Sequence, residues 1–123
     1  MSAVRAKTRK LLKNHVESWN VGDPVKRRRL VEITSSPGAH VSSPYGEHSG
    51  ILAQLESIAE VRKAFPKLRS RGKILGEHHG WVLVSWTTKF GGKRQPLRGI
   101  DVLQLDRKGR IARIVSFSPV SSL

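Results

Sequence analysis

From Pro66 onward the apolar residues of this chain recur at every second position, and the period holds almost to the C-terminus. Four such runs, 68–78, 81–90, 97–106 and 111–118, are broken at His79-Gly80, at Gly91-Gly92-Lys93 and at Arg107-Lys108-Gly109. Side chains of a strand alternate between faces, so a period of two predicts β-strands, and short Gly-containing breaks predict hairpins. Nearly half of the chain is thereby committed to a four-stranded antiparallel meander.

The residues before Pro66 follow a different period. Val4, Thr8, Leu11, Leu12, His15, Val16 and Trp19 recur at helical spacing over 4–20, with Arg5, Arg9, Lys10 and Lys13 outside the stripe. Asp23-Pro24 is an N-cap followed by proline in the first helical position, which predicts a second helix to about Ile33 or Thr34. Ser35-Ser36-Pro37-Gly38 reads as its stop, 39–43 as a short strand, and SPYGEHSG as a turn. A third helix is expected over 51–64, with Leu55, Ile58 and Ala59 facing in. The fold class is α+β: three N-terminal helices on a curved antiparallel sheet, with a pocket between the layers. At 123 residues the chain is read as one domain, 1–123.

Charge constrains partners. The chain has 23 Lys and Arg against 9 Asp and Glu, a formal net charge of +14. Such a surface attracts polyanions, so nucleic acid or an acidic protein is a possible partner. The charges are spread along the chain, as on the solvated outside of a folded domain. With no cysteine, disulfides and thiolate metal sites are excluded. No apolar run reaches membrane-spanning length and MSAVRAKTRK has no apolar core, so a cytoplasmic protein without membrane contact is expected.

SWNVGD at 18–23, SPYGEHSG at 43–50, GWVLVSW at 80–86 and RGIDVLQLDRKGRIARIVSF at 98–117, with this order of elements, resemble the SnoaL-like group of the nuclear transport factor 2-like superfamily. The resemblance implies a cone-shaped α+β fold. It also implies relatives among ketosteroid isomerases, polyketide cyclases and epoxide hydrolases, and homodimers paired through the outer face of the sheet. On that face the sequence places Arg69, Arg71 and Lys73, whose mutual repulsion Glu77 or Asp106 would have to offset. One departure is EITSSPGAHV at 32–41, where family members commonly carry an acidic, aromatic-rich stretch.

Leu97, Gly99, Asp101, Leu103 and Leu105 fall on one strand face, so a carboxylate interrupts an apolar row. In the resemblance to ketosteroid isomerases, Asp101 matches the hydrogen-bond-donating acid, His15 falls where a tyrosine donor stands, and Ser43 falls at the base position. A serine cannot take up a proton at neutral pH, which argues against that isomerase mechanism. In the resemblance to SnoaL-like cyclases Asp101 is the general acid/base of a ring closure. His15 lies on the inward stripe of the first helix and becomes the second candidate catalytic residue, sharing a proton with Asp101. Val82, Val84 and Trp86, placed inside by the same comparison, are expected to contact ligand, with Trp19 at the helix end of the cavity, Tyr45 at its rim and His40 on the short strand. One of His78 and His79 is a further candidate to reach the pocket. The histidine spacings match no metal site, and no phosphate-binding or dinucleotide-binding glycine motif is present, so no metal and no cofactor are expected.

Two readings follow. One is a pocket protein for a hydrophobic cyclic, polyketide-like or steroid-like molecule, either turning it over as a cofactor-independent isomerase or cyclase through Asp101, or binding it without turnover. The other is a non-catalytic basic adaptor for nucleic acid or an acidic protein.

Overall fold

A computed structural model of the chain describes residues 4–121, so the first three and last two residues of the expected domain lie outside the description. Helices α1 (Ala6–Asn20) and α2 (Pro24–Thr34) are followed by strands β1 (Ser35–Ser43) and β2 (Gly46–Ser49). Helix α3 (Ile51–Ala64) then leads into β3 (Arg69–His78), β4 (Trp81–Lys89), β5 (Leu97–Leu105) and β6 (Ile111–Phe117). The four period-two runs form β3 to β6, each within a residue of the expected ends. Among the described residues no helix is long and apolar enough to cross a membrane.

The six strands form one sheet in the order β2-β1-β6-β5-β4-β3. The meander β3 to β6 is antiparallel throughout, but β1 runs parallel to β6, so the sheet is mixed and not wholly antiparallel. Two segments read as turns are strand. Ser35 to Gly38 opens β1, where a register shift between Ser35 and His40 accommodates Pro37 and Gly38, and half of SPYGEHSG forms β2.

The core lies between α1 and the inner sheet face, where Leu11 and Leu12 pack with Val82, Val84, Leu103, Ile111 and Ile114. Asp23 caps α2 by accepting from the Val25 amide at 3.0 Å. The basic run 26–29 is not wholly external. Arg27 is buried and donates from Nε to Ser18 O at 3.1 Å and from Nη2 to Val21 O, closing the C-terminal end of α1. Arg62 of α3 donates to Trp19 O at 2.9 Å and to Leu68 O and Pro66 O, tying α3 to the end of α1 and the start of β3.

A bulge in β3 reorders its charges. The register with β4 shifts between Ile74 and Gly76, so Glu77, which simple alternation places outside with Arg69 and Arg71, turns inward. Its carboxylate accepts from the Arg5 amide at 3.0 Å, from Arg5 Nε and Nη2 at 3.1 and 3.0 Å, and from Thr8 Oγ1 at 2.6 Å. Asp106 is spent on its own turn, accepting from the Lys108 and Arg110 amides at 2.9 Å each. Neither acid offsets the cations of the outer face, where Leu75, Trp81, Leu83 and Phe117 are exposed.

Burial pushes the Glu77 pKa up, but the hydrogen bonds from Thr8 and Arg5, with the charge of Arg5, hold it below its ordinary 4.5. A depressed folded-state value means stability that is present above about pH 4.5 and lost as pH falls through the lower value. Arg5 is half exposed, which screens its charge. Glu77→Gln is therefore expected to cost about 1–2 kcal/mol at neutral pH and much less in acid. Urea unfolding at the two pH values measures this, and an equal loss at both would contradict it.

Candidate functional site

A cavity of about 440 Å³ opens between α1, α3 and the inner sheet face. That volume falls within the roughly 300–1,000 Å³ of small-molecule sites. Its floor is sheet, with Val84, Trp86, Leu97, Asp101, Leu103 and Ile114 on the face that period two assigns inward. Its helical wall is His15, Val16 and Trp19 from α1 and Gln54, Ser57, Ile58 and Val61 from α3. Tyr45, 74% exposed, stands at the rim with Arg71 and Glu60.

The row Leu97, Gly99, Asp101, Leu103, Leu105 does face the helices, and its carboxylate is held by the indole of Trp86, whose Nε1 donates to Asp101 Oδ1 at 2.8 Å. The pair is a cross-strand diagonal, because Trp86 stands opposite Gly99 and Asp101 opposite Val84. Gly99 makes the geometry possible. A Cβ built there would overlap the indole of Trp86 and come within 2.8 Å of the Phe117 carbonyl oxygen. The signal was a glycine inside a strand, which marks close approach of a neighbour.

Among the described residues Asp101 Oδ2 has no protein donor. No hydrogen bond joins Asp101 to His15, so the expected shared proton gives way to an indole clamp. Burial lowers the His15 pKa, and the Asp101 carboxylate raises it by less, so the ring is a neutral imidazole at neutral pH. It can donate one hydrogen bond and accept another.

His40, expected on the ligand, faces away from the cavity. Alternation along β1 turns Val41 in and His40 out, where its Nδ1 lies 2.8 Å from Ser49 Oγ and its Nε2 3.2 Å from Glu47 Oε1. His48, opposite Val41, lines the cavity instead, with its pKa lowered by burial and by nearby His40. The turn residues of SPYGEHSG masked this short alternation. Val82 shares the inner face but is sealed in the core below the cavity and does not line it. His78 and His79 are exposed at the β3–β4 hairpin with their rings 5.4 Å apart, and neither reaches the cavity. Ser43 lines the wall, and its Oγ accepts from the Tyr45 amide at 3.1 Å. On α3 the buried residues are Gln54 and Ile58, and Ala59 is exposed, so the apolar pattern misplaced the inner face by a fraction of a turn.

Among the described residues no three His, Asp or Glu side chains gather as metal ligands. The arrangement is an apolar cavity with one oriented carboxylate and two neutral imidazoles, a set able to move a proton on a bound hydrophobic molecule.

The sequence matches the SnoaL-like domain family over residues 12–114. No curated protein matches it. Among solved structures the chain is similar to a SnoaL-like family protein from Agrobacterium tumefaciens, provisionally assigned as an isomerase, at 23% identity and a TM-score of 0.81 over 93% of this chain and 98% of that one. A protein from Jannaschia provisionally assigned as a SnoaL-like polyketide cyclase superposes with a TM-score of 0.77 at 15% identity, over 96% and 89% of the two chains. One from Kribbella flavida, provisionally assigned as a ketosteroid isomerase, does so at 0.71 and 16% identity, over 95% and 81%. At these identities the likeness is one of fold.

Proposed function

The chain belongs to the SnoaL-like domain family, and on that premise we propose that it takes a flat hydrophobic molecule into the cavity and moves a proton on it through Asp101. The activity would be that of a cofactor-independent isomerase or cyclase. The observation that carries this reading is the carboxylate itself, aimed from the sheet into an apolar cavity with one oxygen fixed by Trp86 and the other without a protein donor among the described residues. Asp101 is only partly buried, so the oxygen that Trp86 leaves free is open to a bound molecule.

His15, neutral and close by, supplies a hydrogen bond to an oxygen of the bound molecule. The aromatic wall of Trp86, Trp19 and Phe90 suits ring systems. The basic residues that favour an adaptor role lie on α1, α2 and β3, and of the β3 cations Arg71 reaches the cavity rim while Arg69 and Lys73 do not line it.

Binding is expected to be visible as saturable quenching of tryptophan fluorescence by 2-tetralone, a bicyclic ketone small enough for the cavity, because Trp86 and Trp19 line it. Only linear, non-saturating quenching, as free indole gives, would remove the reading.

A further inference from the structure

The amide of Gln54 is a buried polar group of the helical wall that no described residue answers. The residue is 5% exposed, it lines the cavity, and its Nε2 has no hydrogen-bond partner among the described residues. Nε2 itself is sealed from the open space, and a turn of the amide about its last torsion presents it there. Buried side-chain donors are almost always satisfied, so a cavity-lining amide with an unmet donor points to what the cavity holds.

From this we propose that Gln54 is a specificity-determining residue whose Nε2 donates to a hydrogen-bond acceptor, a carbonyl or hydroxyl oxygen, on the bound molecule. The proposal rests on the cavity being a ligand site and adds what the ligand must carry. Its position favours such a role. Gln54 lies in the first turn of α3, directly after Gly50, and Ser57 and Ile58 continue the same face into the cavity. An apolar residue there would pack as Ile58 does and leave no orphan donor. Asp101 approaches from the sheet and Gln54 from the helix, so a ligand oxygen held by the amide would anchor the ring system across the cavity from the carboxylate.

A matched pair of probes tests this: 2-acetylnaphthalene, which carries a carbonyl, and 2-isopropenylnaphthalene, which has a methylene in its place. Dissociation constants come from tryptophan quenching of the full chain. The wild type is expected to prefer the ketone by about tenfold, the worth of one net hydrogen bond. Gln54→Met, similar in length and without a donor, is expected to erase the preference and leave the hydrocarbon affinity unchanged. Without ligand its melting temperature is expected to equal or exceed that of the wild type, since an orphaned polar group is removed. A purely structural glutamine would instead lower the melting temperature and leave the probe ratio alone.

Equal binding of the two probes to the wild type would overturn the proposal without any variant, while leaving the cavity as a ligand site. A preference that survives in both Gln54→Met and Gln54→Leu would also overturn it. Failure of both probes to bind the wild type would remove the ligand-site reading, and this proposal with it.

Discussion

Asp101→Asn is expected to leave the fold standing and to slow proton transfer in the cavity by about 10²–10⁴-fold, the usual contribution of a positioned acid/base group. Asparagine matches aspartate in shape, and its Oδ1 still accepts from Trp86 Nε1, so the indole keeps its place. What is lost is the carboxylate oxygen that can accept a proton from the bound molecule and return it. Exchange of the α-protons of 2-tetralone into D₂O, followed by NMR, measures this without knowledge of the natural substrate. The wild type is expected to exceed the buffer rate by that factor and Asp101→Asn to fall to it, with unchanged melting temperature and unchanged tetralone binding. Equal rates for the two proteins would reduce Asp101 to a packing residue, and a wild-type rate equal to buffer with intact binding would make the protein a binder without turnover.

The second large effect is expected at a residue that touches no ligand. Gly99→Ala places a methyl group where the indole of Trp86 lies and within 2.8 Å of the Phe117 carbonyl oxygen. The indole can rotate, but the carbonyl belongs to the β6 backbone paired with β5, and moving it disturbs the sheet. Overpacking of this kind costs about 1–3 kcal/mol, a fall of several degrees in melting temperature for a chain of this size. The tryptophan that turns away also releases Asp101, so tetralone exchange should fall together with stability. The double variant Gly99→Ala/Trp86→Leu separates the two causes. Removing the ring relieves its part of the clash, so the double loss is expected to be smaller than the sum of the single losses. Strict additivity would mean that the ring and the glycine do not meet.

The strands were legible because a half-buried antiparallel sheet writes its period into the sequence, and Asp101 was legible as the one polar member of an apolar row. β1 was legible only in part. Its partner β6 lies about 75 residues away, as in Ser35 opposite Ile111, and a parallel pairing of that separation leaves no local mark. Ser-Pro-Gly at its start carries turn chemistry, which an edge register shift tolerates. Glu77 was misplaced because one extra residue in β3 inverts every face assignment after it. His40 was placed by its strand and not by its face, which alternation with Val41 turns outward, and His48 was missed because the four-residue β2 that carries it reads as a turn. Gln54 escaped notice because helical periodicity searches for apolar residues, and the cavity needs a polar one. The clamp of Trp86 on Asp101 depends on the register between two strands, which the residues within either strand do not determine.

The central claim is that Asp101 faces a bound molecule. A crystal structure of the full chain with 2-tetralone tests it most directly. The ring system is expected between Trp86 and the α3 wall, with an α-carbon within about 3–3.5 Å of Asp101 Oδ2, the separation of a group poised to react. A ligand seated on the outer face of the sheet, or in the cavity with Asp101 turned away from it, would contradict the account.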